Sequence, residues 1–416
     1  MFRYFLIPIF FLLVFSKIVL AEDMFNWKDC VKEALTNQPD LIAAKESVKQ
    51  SEADKNIVES GLLPQIDGTV SATDAKTTTS RKYSYGVTGT QLIFDGSQTS
   101  NKLRSALESL KAAKESYRVT SATIRYKLRS AFVGLLKAQE MLKIAQSIYK
   151  IRKANFDLVS LRYESGREHK GSLLTAQANL AQAKYEVNQS LRAFELSQRQ
   201  LLKEMGYSKL RPIKVTGDFE IQDCAEPKPD FESLVIDNPS LKNMIAQKNA
   251  AEFSLKSAKA SYCPTISTQA GANKSEATWP PEKTDWTLAV TMSLPLFEGG
   301  LRSAQVAKAR ATLKELQANE RSTFDTLVFT LEQDWVDLKN FIDNVEVQRK
   351  TLLATEERSK IAEAQYCTGF IQFDNWTIIE DNLVKAKKSF LDAQANALLA
   401  EANWLQAKGV PLENEK

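Results

Sequence analysis

The second half of this 416-residue chain repeats the first half at an almost constant offset. The offset is 200 positions near the start of each half and becomes 203 after a three-residue insertion. The matching pairs are Pro39 and Pro239, Pro64 and Pro264, Phe94 and Phe297, Gly96 and Gly299, Tyr163 and Tyr366, Gly166 and Gly369, and Gly206 and Gly409. Self-similarity over such a distance indicates two copies of one structural unit.

Two long segments, residues 97–165 and 300–367, are each predicted to form a single helix. Neither segment contains Pro, the residue that ends helices, and both are nearly free of Gly. At 1.5 Å per residue each helix would span roughly 100 Å. In the first segment apolar or small residues keep a 3.5-residue period, broken only at Lys114, Ser121 and Arg152. This period predicts coiled-coil packing along the whole length.

Shorter helices and hairpins complete each unit. Helices of roughly 50 Å are predicted near residues 27–60, 172–205, 231–261 and 374–408, and β-hairpins near 64–94 and 264–297. The chain then divides into a first repeat (22–206), an irregular equatorial linker (207–230), a second repeat (231–409) and a short tail (410–416). The predicted fold class is mostly α with a small β part.

The hairpins alternate in the manner of membrane-spanning strands. The apolar residues Trp286, Leu288 and Val290 alternate with Thr287 and Ala289, which are small or polar. Strands of about ten residues with this alternation are typical of a transmembrane β-barrel, although a half-buried strand in a soluble sheet has the same local pattern. Four strands per chain are too few, because the smallest single-chain barrels have about eight. Several subunits must therefore contribute strands to one barrel.

The start of the chain predicts an export signal over residues 1–21. Arg3 precedes an apolar run, and small residues stand at Val19 and Ala21, where a signal peptidase reads. A transmembrane helix is the alternative, but Lys17 interrupts the run before it reaches the roughly 20 residues that a span needs.

Composition argues against several classes of function. With 55 Lys and Arg against 51 Asp and Glu, no nucleic-acid partner is expected. His169 is the only histidine, which excludes zinc sites and catalytic triads built on several histidines, and no Gly-rich phosphate loop occurs. We expect neither an enzyme nor a bound metal or cofactor, and a hydrolase has no support beyond scattered Ser and Asp.

In its pattern the chain resembles the TolC family of outer-membrane efflux and secretion channels over essentially its whole length. The residues that carry the resemblance are Gln38-Pro39 and Asn238-Pro239, Leu63-Pro64 and Cys263-Pro264, the stretches from Leu92 to Gly96 and from Leu296 to Gly300, and the turns from Arg162 to Gly166 and from Tyr366 to Gly369. The resemblance implies a homotrimer in the outer membrane of a Gram-negative type envelope. Its three chains would share one barrel, continued by an α-helical coiled-coil tunnel through the periplasm.

The same resemblance implies the function and the partners. The chain would be the passive exit channel of a tripartite efflux or type I secretion system. Its partners would be outer-membrane lipid, a periplasmic adaptor (membrane fusion) protein and an inner-membrane pump of the RND, ABC or MFS class. The alternative is a soluble periplasmic coiled-coil adaptor or scaffold, which would share the export signal and long helices but would not need amphipathic hairpins.

Site residues follow from the resemblance at the two far helical turns. Arg162, Tyr163, Gly166, Tyr366 and Gly369 would form the periplasmic tip where an adaptor docks. For the two glycines a purely structural function is as well supported, because a helical hairpin needs a residue with positive φ where the helix stops.

The second turn departs from the family pattern. Ile371 stands where the family often has an Arg, and Asn375 and Ile378 stand where it has a pair of Asp residues. Asp374 remains as the nearby carboxylate. It could form a threefold gate ring in a trimer, or it could be an ordinary helix N-cap.

The four cysteines permit three pairings of two bridges, and the sequence does not choose among them. In the layout of such channels Cys30 and Cys224 both fall at the level of the equatorial linker, which makes them a candidate disulfide. Cys263 and Cys367 would lie at opposite ends of the long helices, too far apart to bridge.

Overall fold

A computed structural model describes residues 23–74, 81–219 and 228–415. The predicted export signal over 1–21 lies outside these residues. The helices are α1 (Trp27–Asn37), α2 (Pro39–Ser60), α3 (Gln98–Glu164), α4 (Lys170–Glu204), α5 (Phe231–Asp237), α6 (Pro239–Ala260), α7 (Leu301–Thr368) and α8 (Phe373–Ala407). The strands are β1 (Asp23–Phe25), β2 (Gln65–Thr73), β3 (Lys82–Phe94), β4 (Ile213–Val215), β5 (Thr265–Glu276) and β6 (Thr284–Ser293), and a 3₁₀ turn covers Leu412–Glu415.

The two long helices are confirmed as single helices. α3 has 67 residues and α7 has 68. Each follows a residue with positive φ, Ser97 at 70° and Gly300 at 88°, which turns the chain from the sheet into the helix. The 3.5-residue seam of α3 is buried where Leu128 and Leu135 lie in the core. None of the helices in the described residues is long and apolar enough to cross a membrane.

The helices predicted at 27–60 and 231–261 are each broken in two, so their prediction as continuous helices was wrong. The breaks fall at Gln38 and Asn238, whose backbones are extended, with ψ of 117° and 129°. Both residues precede a Pro, which disfavours the α conformation in the residue before it. Their side-chain oxygens then accept hydrogen bonds from the first backbone N–H groups of the following helix.

The four longer strands form one antiparallel sheet in the order β2-β3-β5-β6. Because paired residues share a face, the register collects the apolar side chains on one side. Trp286 is opposite Ala272, Leu288 is opposite Ala270, and Val87 lies beyond Ala272 on β3. The other face carries small polar residues: Thr69, Ser71, Ser84, Thr88, Ser267, Gln269, Asn273, Thr287 and Thr291.

Much of the apolar face of the sheet is exposed in the part of the chain that the structure describes. Trp286, Leu288 and Val290 are 79%, 71% and 70% exposed. The strands thus have the inside-out arrangement expected where an apolar solvent replaces a protein core.

Helices pack around α3 along its whole length. α2 and α6 lie beside the half of α3 nearer the sheet, while α4 and α8 lie beside the far half. α7 packs against α6 and α8. α3 therefore sits in the middle of the chain's helical layer, with α7 at one margin and α2 and α4 at the other.

Part of the equatorial linker is ordered against the start of the chain. β4 pairs in parallel with β1, and Ile213 and Val215 are buried in the core with α1 and α3. Residues 220–227 of the predicted linker lie outside the described part.

The short tail closes this core. Leu412 is fully buried in it, and the Glu413 carboxylate accepts hydrogen bonds from Tyr117 Oη at 2.6 Å and Ser121 Oγ at 2.5 Å. Burial and the bond to Glu413 raise the pKa of Tyr117. The polar Ser121 therefore interrupts the apolar seam of α3 because it anchors the tail.

We expect Leu412→Ala to loosen the equatorial core, which is the core that the tail forms with β1, β4, α1 and α3. Truncating a fully buried leucine costs about 2–5 kcal/mol, so the tail should detach more often and expose β1, β4 and the linker. Limited proteolysis of the detergent-solubilised protein, read by mass spectrometry, should show faster cleavage there. The exposed neighbour Asn414, changed to Ala, is the control and should leave the cleavage rate unaltered.

Candidate functional site at the far end of the long helices

The far ends of α3 and α7 turn back into α4 and α8 through two turns of the same geometry, here called the tip (residues 162–172 and 365–376). Gly166 has φ of 71° and Gly369 has φ of 83°. In each turn two backbone hydrogen bonds close the helix. The bond that spans more residues runs from Arg167 N to Arg162 O in the first turn and from Phe370 N to Gln365 O in the second, each at 2.8 Å. This is the Schellman closure, and it explains why both turns have Gly.

Tyr366 is the centre of an aromatic cluster between the turns. It is 1% exposed, stacks on Trp376 with ring centroids 4.4 Å apart, and meets the edge of Phe373 at 6.1 Å. Val159 and Ala176 of the first unit complete the cluster. The ring of Tyr366 thus joins the α3–α4 hairpin to the α7–α8 hairpin.

Two charged residues of the first unit hold Tyr366 in place. The guanidinium of Arg162 lies 4.3 Å from the ring centroid, and its Nη2 donates to the carbonyl oxygens of Tyr366 at 3.0 Å and Cys367 at 2.9 Å. Tyr366 Oη donates to Glu168 Oε2 at 3.0 Å. Burial, followed by the carboxylate of Glu168, raises the pKa of Tyr366 to about 12. Tyr366 therefore stays a neutral hydrogen-bond donor at any physiological pH.

His169, the only histidine, belongs to the same turn. Its Nδ1 accepts a hydrogen bond from Ser172 N at 3.2 Å, which makes it the N-cap of α4. Ser172 Oγ in turn donates to Glu168 Oε1 at 2.9 Å. His169 therefore has a structural function in helix capping here.

Ion pairs extend the joint between the two units away from the tip. Arg152 of α3 pairs with Asp381 of α8, and Lys137 of α3 pairs with Asp392 at 2.7 Å. A third pair joins Glu186 of α4 to Lys388 of α8 at 2.8 Å. Burial alone would raise the pKa of Glu186, but hydrogen bonds from Lys388 and Gln182 hold it below its usual value. Arg152 thus interrupts the α3 seam for a reason, since it binds α8.

The structure brings the five predicted tip residues together, but in different environments. Tyr366 is buried, whereas Tyr163, its counterpart in the first unit, is 39% exposed. A side chain as buried as Tyr366 can affect docking only by shaping the tip. Phe370 of the tip and Leu161, which immediately precedes the tip on α3, are large apolar side chains that do reach the surface, with 84% and 65% of their area exposed. Adaptor docking at these residues stays a prediction.

Asp374 is not the N-cap of α8, so that alternative was wrong. The cap position belongs to Gln372, whose extended backbone precedes the helix, because α8 begins at Phe373, which packs into the tip cluster. Asp374 lies in the first helical turn and is exposed, where its charge is favourable beside the helix N-terminus. Its function in a gate ring stays a prediction.

Cys263 and Cys367 are free thiols, and Cys30 has no bridge to another cysteine among the described residues. Cys30 is fully buried in the equatorial core, and that burial raises the pKa of its thiol to about 12. Cys224 lies outside the described residues, so the disulfide between Cys30 and Cys224 stays a prediction. Cys367 is exposed at the tip, while Cys263 lies next to Gly96 beside the sheet.

An open groove of about 650 Å³ runs along α7 and α8 next to the tip. Ile361, Gln365, Ile371, Asn375 and Ile378 line it at the tip end, and Glu357 and Arg358 line the other end. Ile361 and Ile378 are each 57% exposed. The second unit therefore presents an apolar surface at the position where the first unit contacts Tyr366.

Several residues that organise the tip were not predicted from the sequence. Glu168, Phe373 and Trp376 carry no motif, and only their proximity in space gives them a function. Arg152 was visible as a break in an apolar seam, and a charged residue at such a position is a signal that a partner of opposite charge faces it.

Comparisons with known proteins agree with this architecture. A family model described as "Outer membrane efflux protein" matches residues 30–207 and 232–409. The outer membrane efflux protein BepC of Brucella suis biovar 1 (strain 1330) is 20% identical over 360 residues, covering 83% of this chain and 78% of its own. The cation efflux system protein CusC of Escherichia coli (strain K12) is 20% identical over 400 residues, covering 92% and 86%. The crystal structure of the Campylobacter jejuni CmeC outer membrane channel superposes with a TM-score of 0.84 at 17% identity, covering 92% of this chain and 85% of that one.

Proposed function

The chain belongs to the outer membrane efflux protein family, and on that premise we propose that it is the outer-membrane exit channel of a tripartite efflux or type I secretion system. It conducts substrate passively through a water-filled lumen, while an inner-membrane pump supplies the energy. The observation that carries this proposal is the sheet, in which an uncovered apolar face and a Ser- and Thr-rich face alternate residue by residue. Such a sheet suits lipid on one side and water on the other.

The channel is a homotrimer in this proposal, because the chain leaves matching surfaces without partners. Within the described residues, β2 and β6 are the two edges of the sheet and each pairs on one side only. α3 has neighbours at both sides along both halves, whereas its counterpart α7 packs on α6 and α8. By the internal repeat, the neighbours that α7 lacks are α2 and α4 of another copy. Repetition of this contact around an axis closes a ring.

Large apolar side chains that are exposed on α7 and α4 support this assignment. Phe329, Val347 and Leu353 are 67%, 57% and 52% exposed. On α4, Leu174 and Leu196 are 53% and 69% exposed. A second copy packed against α7 and α4 could bury exposed apolar side chains of this kind.

The partners follow from the position of each part. The apolar face of the sheet contacts outer-membrane lipid, and the tip meets a periplasmic adaptor protein that links the channel to an inner-membrane pump of the RND, ABC or MFS class. The exposed Phe370 and Leu161 at the tip offer such an adaptor apolar contacts.

The test is to purify the protein from detergent-extracted outer membranes, determine its mass and measure single-channel currents in a planar bilayer. A conducting trimer is the expected result. A soluble, non-conducting monomer or dimer would overturn the channel and favour the periplasmic scaffold instead.

A further inference from the structure

The internal repeat implies that the contact around Tyr366 has an equivalent, formed by the matching residues of the other unit. Within the chain, Tyr366 of the second unit inserts against Val159, Arg162 and Glu168 of the first. At the repeat offset, the counterparts of these three residues are Ala362, Gln365 and Ile371, and the counterpart of Tyr366 is Tyr163. All three counterparts line the groove on α7 and α8, where Ala362 is itself buried in the tip cluster. The groove is therefore the second-unit version of the surface that holds Tyr366.

We propose that Tyr163 of a neighbouring copy occupies this groove, so that the site is completed only between copies. The proposal rests on the homotrimer of the proposed function and assigns one of its contacts. Both surfaces are partly exposed in the described part of the chain: Tyr163 is 39% exposed, and Ile361 and Ile378 of the groove are each 57% exposed. An aromatic ring entering a groove walled by isoleucines buries apolar area on both copies.

The two versions of the contact differ in charge. Within the chain, Arg162 and Glu168 grip Tyr366 through a cation–π contact and a charged hydrogen bond. In the groove the counterparts Gln365 and Ile371 are neutral and offer no such grip. The hydroxyl of Tyr163 therefore loses a strong acceptor, and the contact between copies is weaker than the contact within the chain.

The ion pairs between the two units also have neutral residues as their counterparts. Arg152 and Asp381 have Thr355 and Ala178 as their counterparts, so the corresponding contact between copies cannot be ionic. Lys137 and Asp392 have the equally neutral Asn340 and Gln189. At these positions ion pairs hold the seam within each chain, and their counterparts in the proposed contact between copies are neutral.

The position of Tyr163 is tested by photo-cross-linking. p-Benzoylphenylalanine in place of Tyr163 should, on illumination of the intact protein in detergent, give covalently linked chains whose cross-linked peptide contains Ile361, Ile371 or Ile378. The matched control puts the same probe at Leu161. Residues two positions apart on a helix face different sides, so the probe at Leu161 should not reach the groove. The exposure of Ala364, the counterpart of Leu161, agrees with an outward-facing position.

The outcomes separate the two proposals. Cross-links confined to one chain, or made to another region of the neighbouring copy, in a preparation that native mass spectrometry shows to be trimeric would overturn the assignment of Tyr163. A protein that is not trimeric would instead defeat the proposed function itself.

Discussion

Replacing Leu288 with Arg is expected to abolish assembly of the protein in the outer membrane. Leu288 lies in the middle of β6, on the apolar face, and is 71% exposed within the chain. An Arg near the bilayer midplane on the lipid face of a barrel costs about 2–4 kcal/mol. Three copies in one barrel would add roughly 6–12 kcal/mol, which is comparable with the whole stability of a typical folded domain. The amount of trimer in the outer-membrane fraction is the measurement.

The neighbouring residue provides a matched control. Ala289 pairs with Gln269 on the polar face, so Ala289→Arg places the same side chain in the lumen of the proposed channel. The trimer should then assemble normally and conduct less, because a long cation narrows the pore and repels cations. If both variants assemble equally well, the sheet does not face lipid, and the periplasmic scaffold becomes the better explanation.

The large features of this fold were predictable because they rest on strong, local signals. Long segments without Pro must remain helical, and a strict alternation of apolar and polar residues can only be a strand with two different faces. The breaks at Gln38 and Asn238 were just as local, since each precedes a Pro. They were missed because Pro is tolerated at the first position of a helix, where it starts a new helix after the break as readily as it ends an old one.

The tip shows where prediction from sequence stops. Tyr163 and Tyr366 occupy identical positions in the repeated motif, yet the first is half-exposed and the second is buried. What separates them is the neighbour each one meets, and those neighbours lie on other helices. The hydrogen bonds of Tyr117 and Ser121 to the tail could not be predicted either, because they join residues almost three hundred positions apart.

We expect Tyr366→Ala to loosen the tip more than any other single truncation there. The change removes a ring that is 1% exposed, and with it the stack on Trp376, the contact with Arg162 and the bond to Glu168. Truncation of a large buried aromatic costs about 3–5 kcal/mol. Because the cluster joins the two hairpins, the loss should appear as local opening at the end of α3, α4, α7 and α8, with the sheet and equator unaffected.

Amide hydrogen exchange on the detergent-solubilised protein measures this directly. Exchange at the tip should accelerate by between about a hundredfold and a few thousandfold, since each 1.4 kcal/mol corresponds to a factor of ten. Tyr366→Phe keeps the stack and loses one charged hydrogen bond, so it should cost about 1.5 kcal/mol and accelerate exchange roughly tenfold. Phe370→Ala removes an equally large ring from the surface of the same turn and should change exchange little. Equal effects of Tyr366→Ala and Phe370→Ala would mean that the aromatic cluster does not hold the two hairpins together. The ion pairs between the two units would then be the contacts that do so.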